Sequence, residues 1–298
     1  METAPSLIVF YNTGFGAPLS FYYPCTVLEG TQCEISADRQ RIEEADAVVF
    51  HLPDMGDISH LKKCSGQFWV VWCQECDQNY PIMYQKNFMS LFDISMTYHL
   101  DADVIHGYFS PTFEHTFRKP ITTKSSDLLA SIFVSSPINK SGRLGYLYEL
   151  MNHMEVHSYG KILQNWELNS DTGRSSKKEV IGKYKFYLAF ENACGKDYVT
   201  EKFYDALEEG TIPVYLGAEN IEELSPSEHC YINVQDFESP AALAKYLKQL
   251  DANDEAYNSY FEWKNHPFKE PFNTLIKSPK ISLFHDLYES VKKRKFTK

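Results

Sequence analysis

Six polar or charged residues, Asn192, Lys196, Asp197, Tyr198, Glu201 and Lys202, follow directly on the apolar run Phe186–Phe190. The stretch to Gly217 reads as a strand, a polar loop, a helix from about Thr200, a glycine stop, a strand at Thr211–Tyr215 and a glycine turn. In a parallel α/β sheet, the loops at the carboxyl ends of the strands carry the ligand. A helix that opens there presents free N–H groups and the positive end of its dipole, a seat for phosphate. A carboxylate at Glu201 can bind ribose hydroxyls, and an ammonium at Lys202 can neutralise a pyrophosphate. The competing reading is that both are solvated residues of an ordinary first helical turn. Spacing alone leaves the two readings open.

The elements that must position these residues are read from short apolar runs alternating with helical patterns, the mark of parallel α/β units. Leu7–Tyr11, Ala47–His51 and Phe68–Trp72 are expected strands of a first half, with a turn at Asn12–Gly16 and a short helix at Gln85–Leu91. A polar stretch, Thr122–Asp127, reads as a linker. Beyond it come strands at Ser131–Val134, Val156–Tyr159 and Cys230–Val234 and helices at Arg143–Met154 and Ser239–Leu250, besides the elements already named. The segment from Ser278-Pro279 opens with a helix cap and N1 proline, and residues 281, 284, 287, 288 and 291 share one helical face. The expected architecture is α/β: two facing Rossmann-like domains, 1–124 and 125–277, strapped by a C-terminal helix and basic tail, 278–298.

Composition narrows the classes. The 298 residues are 43% hydrophobic and 23% charged, enough for two cores. A net charge of −11 lacks the basic footprint of a nucleic-acid binder. No stretch approaches the ~20 apolar residues of a membrane span, and the start has no signal-peptide pattern. A cytoplasmic or peripheral membrane protein is expected if the chain is whole, and a lumenal fragment if an anchor was removed. The seven cysteines, at 25, 33, 64, 73, 76, 194 and 230, show no disulfide rhythm and read as thiols in a reducing compartment. Cys73 and Cys76 have the spacing of a zinc half-site, but no second pair stands at a comparable spacing. The plain reading is core thiols at a strand end. Asn139-Lys-Ser141 is a glycosylation sequon in form only.

The run Phe190–Gly217 resembles the donor-binding signature of glycosyltransferase family 10, the α1,3/1,4-fucosyltransferases. That signature is roughly Phe-Glu-Asn-x(4)-Asp-Tyr-Val-Thr-Glu-Lys, then a helix and Gly-x-x-Pro-Val. Trp69–Glu75 and Phe92–Asp103 look like the family's acceptor-domain core, and the likeness runs from about residue 32 to about residue 250. Arg143 sits where the family keeps a phosphate-binding arginine. The family often has Ser-Pro after the glutamate that matches Glu75, whereas Cys76 and Asp77 stand here.

The resemblance implies the GT-B arrangement, GDP-fucose as donor and inversion at the fucose anomeric carbon. Glu75 is then the general base, and Arg143, Asn192, Tyr198, Glu201 and Lys202 hold the donor. A base on the acceptor hydroxyl and cations on the departing diphosphate are what inverting transfer needs. The acceptor implied is a GlcNAc hydroxyl, O3 in an N-acetyllactosamine-type glycan, giving an α1,3 linkage. The alternatives are the proximal GlcNAc of an N-glycan, or a nucleotide- or glycan-binding protein without catalysis on the same scaffold. Asp101 and Asp103 mimic a metal-binding Asp-x-Asp, but they fall in the acceptor half, and no obligatory metal or cofactor is expected. The basic tail Lys292–Lys295 offers a weak contact with an anionic membrane surface, or else a solvated helix end.

Overall fold

The structure is a computed structural model that describes residues 6–17, 19, 27–124, 127–277 and 283–296. Two parallel sheets form its frame. The first has strands β1 (Ser6–Phe10), β2 (Cys33–Ser36), β3 (Ala47–His51), β4 (Phe68–Cys73), β5 (Ile94–Thr97) and β6 (Val104–Ile105), in the order β2-β1-β3-β4-β5-β6. The second has β7 (Ala130–Ile132), β8 (His157–Ser158), β9 (Phe186–Phe190), β10 (Ile212–Leu216) and β11 (Ile232–Asn233), in the order β11-β10-β9-β7-β8. All their pairings are parallel. Both halves are Rossmann-like, and in each the order reverses after the second strand. The reversal points lie between β1 and β3 and between β7 and β9, where such sheets bind ligands at their carboxyl ends.

The central strands are apolar on both faces because helices cover both faces of a parallel sheet. Every residue of β3, β4, β9 and β10 is buried. Alternation divides the first core in two: Ile8, Phe10, Val49 and Trp72 on one side, Leu7, Val9, Phe50 and Trp69 on the other.

The longer helices are α1 (Arg143–Leu150), α2 (Arg174–Ile181), α3 (Glu201–Glu208), α4 (Pro240–Asp251) and α5 (Leu283–Phe296). Helix α1 ends four residues before the expected Met154, and its chain turns through Asn152 and His153 before β8. The expected strand at Cys230–Val234 shrinks to β11, because a 3-10 turn takes Val234–Asp236. Helix α2 was not expected at all.

The chain divides into two compact units, Met1–Gly107 with Pro279–Lys298, and Tyr108–Ser278. Helix α5 therefore completes the first unit. Leu287 and Val291 are fully buried in its core, and Phe284 meets Phe10 edge to face at 5.6 Å. The expected cap at Ser278-Pro279, Ile281 and Cys25 lie outside the described residues. The tail is not an open basic patch: Lys292 pairs with Glu289, Arg294 with Asp103 and Lys295 with Asp46. No described helix is long and apolar enough to cross a membrane.

Candidate functional site

At the reversal point of the second sheet, the loops after β7 and β9 are laced together. Ser141 Oγ donates to the carbonyl of Glu191 at 2.6 Å, and Ser141 N to that of Asn192 at 3.1 Å. Arg143 opens α1 beneath this junction and is buried. Its guanidinium donates to the carbonyls of Phe190 (3.1 Å), Ser136 (3.1 Å) and Ile138 (3.2 Å), tying β9 to the β7 loop. Its Nε–H is buried and meets no acceptor among the described residues. A buried donor without a partner is unfavourable by roughly 1–3 kcal/mol, so the junction is one acceptor short.

The chain between β9 and α3 owes its shape to a residue that sequence reasoning passed over. Glu191 is fully buried, accepting from Thr200 N (2.8 Å), Thr200 Oγ1 (2.9 Å) and Lys202 Nζ (3.1 Å). Thr200 is the N-cap of α3, so Glu191 fastens the mouth of the helix to the end of β9. Lys202 also donates to Thr200 Oγ1 at 2.8 Å. Burial works against its charge, but the carboxylates of Glu191 and Glu201 prevail and raise its pKa. An ammonium has three N–H donors. Two are taken, and among the described residues the third has only a long contact of 3.7 Å to Glu201.

Glu201 pairs with Lys177 of α2 at 3.3 Å. Burial alone would raise its pKa, yet the ammonium groups of Lys202 and Lys177 outweigh that and hold it at about 2. Lys177 also faces the buried Asp205 at 3.4 Å. Lys177 escaped the sequence reading because α2 itself did.

Asn192 and Tyr198 are both buried in the same loop, and Tyr215 Oη donates to the Tyr198 carbonyl at 3.3 Å. Asp197 takes a left-handed φ of 65°, which aspartate tolerates, and exchanges two 2.9 Å hydrogen bonds with Asn220. Lys196 is exposed. Two glycines let the chain close around the site. A Cβ on Gly217 would sit 2.2 Å from Tyr215 Oη and 2.8 Å from Glu191 Cγ, and one on Gly160 would lie 2.0 Å from the Val134 carbonyl oxygen. The structure thus gathers Arg143, Asn192, Tyr198, Glu201 and Lys202 in one unit, with Glu191 and Lys177 added.

Glu75 lies in the other unit, half-buried, two residues past β4 at the carboxyl end of its sheet. Cys73 donates its thiol to the Glu75 carbonyl at 3.4 Å, and burial pushes that thiol up to about 12, too high for ready ionisation. Asp77 follows in a 3-10 turn and pairs with His99 Nε2 at 3.2 Å. Burial would raise its pKa, but hydrogen bonds from His99 and Tyr84 and the His99 charge hold it at about 2. A carboxylate that acidic is a poor general base.

At the first sheet's reversal point, Asn12 accepts from His51 N at 2.9 Å and donates to the His51 carbonyl at 2.7 Å. Asp54 accepts from Thr13 Oγ1 and Gly16 N, and Trp72 Nε1 donates to His106 Nδ1 at 2.8 Å. The sequence showed only a turn at Asn12–Gly16. Asp103 of the Asp-x-Asp mimic is engaged elsewhere, accepting from Ser95 N and Oγ and pairing with Arg294. Among the described residues, no three His, Cys, Asp or Glu side chains are grouped so as to hold a metal.

Comparison with known proteins agrees along the chain. Residues 3–109 match the family described as fucosyltransferase, N-terminal, and residues 123–295 that described as glycosyltransferase family 10 (fucosyltransferase) C-term. A 4-galactosyl-N-acetylglucosaminide 3-alpha-L-fucosyltransferase of Homo sapiens is 30% identical over 269 residues, spanning 87% of this chain and 72% of that protein. A 3-galactosyl-N-acetylglucosaminide 4-alpha-L-fucosyltransferase of Homo sapiens is 31% identical over 274 residues, spanning 88% and 73%. A crystal structure of an alpha1,3-fucosyltransferase with GDP-fucose superposes with a TM-score of 0.65, at 17% identity, over 97% of this chain and 90% of that one.

Proposed function

We propose that this chain, which belongs to glycosyltransferase family 10, the fucosyltransferases, moves L-fucose from GDP-fucose onto O3 of a GlcNAc residue in an N-acetyllactosamine-type glycan. The relatives that act on N-acetylglucosaminides carry the acceptor class, and the solved relative with GDP-fucose carries the donor. The observation that supports the donor site most is Arg143. It sits at the reversal point of a parallel sheet with one buried N–H that meets no acceptor among the described residues, and a phosphate oxygen is the acceptor such a crevice takes.

In this reading the diphosphate lies against the mouth of α3, where Arg143 Nε and the remaining N–H of Lys202 meet it. Glu201, held ionised by its two lysines, accepts from ribose hydroxyls, and Asn192 and Tyr198 shape the loop around the nucleotide. Glu75 takes the proton from O3 of GlcNAc. That oxygen attacks the anomeric carbon of fucose opposite the diphosphate, and the bond to the β-phosphate breaks with inversion. GDP leaves with its negative charge matched by the two cations, which do the work a divalent metal does elsewhere.

The variant Glu75→Gln tests this chemistry. Transfer is expected to fall by ~10²–10⁴-fold, the span of general-base catalysis. GDP affinity, measured by titration calorimetry with chelator present, is expected to stay that of the wild type. A stable Glu75→Gln protein with near-normal transfer would remove Glu75 from the mechanism.

A further inference from the structure

The second unit carries an aromatic-walled hollow that the donor reading does not use. It is a cavity of about 410 Å³ between the loop that follows β8 and helix α2, walled by Trp166, Tyr159 and Tyr184, with Glu167, Asn169 and Glu179 at its edge. The volume falls within the roughly 300–1,000 Å³ of small-molecule sites. Its walls are fixed. Trp166 stacks on the His157 ring at 3.9 Å and 9°. His157 is held by Tyr184 Oη (2.6 Å) and Glu155 (2.9 Å), and Tyr184 is joined to Tyr159 through their hydroxyls at 2.6 Å. Tyr159 in turn stacks on Phe133 at 5.0 Å and 11°.

Despite this support, Trp166 remains 46% exposed. The polar groups beside it, Glu167, Asn169 and Ser170, are exposed and hydrogen-bond to no other described side chain. A rigid, open indole flanked by uncommitted carboxylate, amide and hydroxyl groups matches one ligand chemistry well. A sugar ring packs its C–H face on an aromatic plane while its hydroxyls need donors and acceptors around the rim. The charge balance selects among sugars. Two carboxylates face one ammonium, Lys183, which Glu179 already engages at 2.8 Å, so a sulfated or sialylated chain is disfavoured.

We propose that this hollow is a second saccharide-binding site, taking an uncharged stretch of glycan chain on the Trp166 platform. It is separate from the donor crevice. Glu179 and Val180 line it from one face of α2 and Lys183 from just past the helix end, while Lys177 leaves another face of that helix to reach Glu201 and Asp205. A site of this kind raises the local concentration of a long acceptor without touching the reacting atoms. The choice of a glycan rests in part on the proposed acceptor, but the test below needs no turnover.

The full chain, saturated with GDP, is labelled with ¹⁵N on its tryptophan indoles, and the Trp166 signal is assigned by its loss in Trp166→Phe. Titration with galactosyl-β1,4-N-acetylglucosamine is expected to shift that signal saturably at millimolar concentrations, and equally in Glu75→Gln. In Trp166→Ala, KM for a glycoprotein acceptor should rise severalfold, while kcat and KM for the free disaccharide stay unchanged. An indole signal unmoved by the disaccharide would overturn the proposal, as would an equal shift with its sialylated form. A shift in a protein that shows no fucosyl transfer would uphold this site and sink the transfer reading instead.

Discussion

Lys202 serves two partners. Its ammonium pairs with the buried Glu191 at 3.1 Å and, in the proposed reading, gives its remaining N–H to the diphosphate. Removing it therefore does more than weaken the donor site, because the buried Glu191, whose pKa burial already raises, loses its ammonium partner. Breaking a buried pair from one side costs about 3–5 kcal/mol. Lys202→Ala is accordingly expected to lower unfolding stability by an amount of that order in urea titrations and to weaken GDP binding. Adding Glu191→Gln should restore much of the stability and none of the GDP affinity. Equal recovery of both would mean that Lys202 is a structural residue alone. The depressed carboxylates Glu201 and Asp77 set the acid limit. Each has a pKa of about 2 against ordinary values of 4.5 and 3.8, so the unfolded chain binds their protons first as pH falls. Their contribution is full above about pH 4.5 and drains away toward pH 2. Unfolding midpoints measured across that window should fall more steeply for the wild type than for Glu201→Gln. Parallel curves would contradict the assignment.

Helix α3 works because the chain around it closes tightly. Glu191 caps its start through Thr200, and Gly217 passes so close to Tyr215 and Glu191 that a methyl group there would press on both side chains. Gly217→Ala is expected to cost ~1–3 kcal/mol, the usual size of overpacking, and to displace Tyr215, which donates to the Tyr198 carbonyl, together with Glu191. GDP affinity should fall along with the thermal midpoint. A variant that melts early but binds GDP normally would show that neither Tyr215 nor Glu191 positions the site. The helix and its flanking strands were legible in the sequence because β9 and β10 are unbroken apolar runs, and Thr200 begins a clear amphipathic pattern. Helix α2 was not. Its eight residues, Arg174–Ile181, carry only Val180 and Ile181 as apolar side chains, and it is held instead by Arg174 and Lys177 on Asp205. Ion pairs between helices leave no periodic trace in one sequence. Glu191 was visible as part of a motif, yet a carboxylate after a strand looks like a ligand residue. Only its burial beneath Thr200 identifies it as the anchor.

At the scale of the molecule, the two sheets were foreseeable from β3, β4, β9 and β10, which are apolar throughout except for His51 at the end of β3. Half of the first sheet was not: β2, β5 and β6 run four, four and two residues, too short for alternation to register. The C-terminal helix was foreseen from its apolar face, but its place in the first unit depends on Leu287 and Val291 reaching that core across most of the chain's length. The fold alone would suit many transferases. What singles out fucosyl transfer is the family signature laid over the crevice between β7 and β9. The most direct test is a metal-free transfer assay on the wild-type chain with GDP-fucose, GDP-mannose and UDP-galactose, each offered N-acetyllactosamine. The expected result is one product, fucose α-linked to O3 of GlcNAc, formed from GDP-fucose in the presence of chelator. No product from GDP-fucose, or transfer from either of the other donors, would contradict the account.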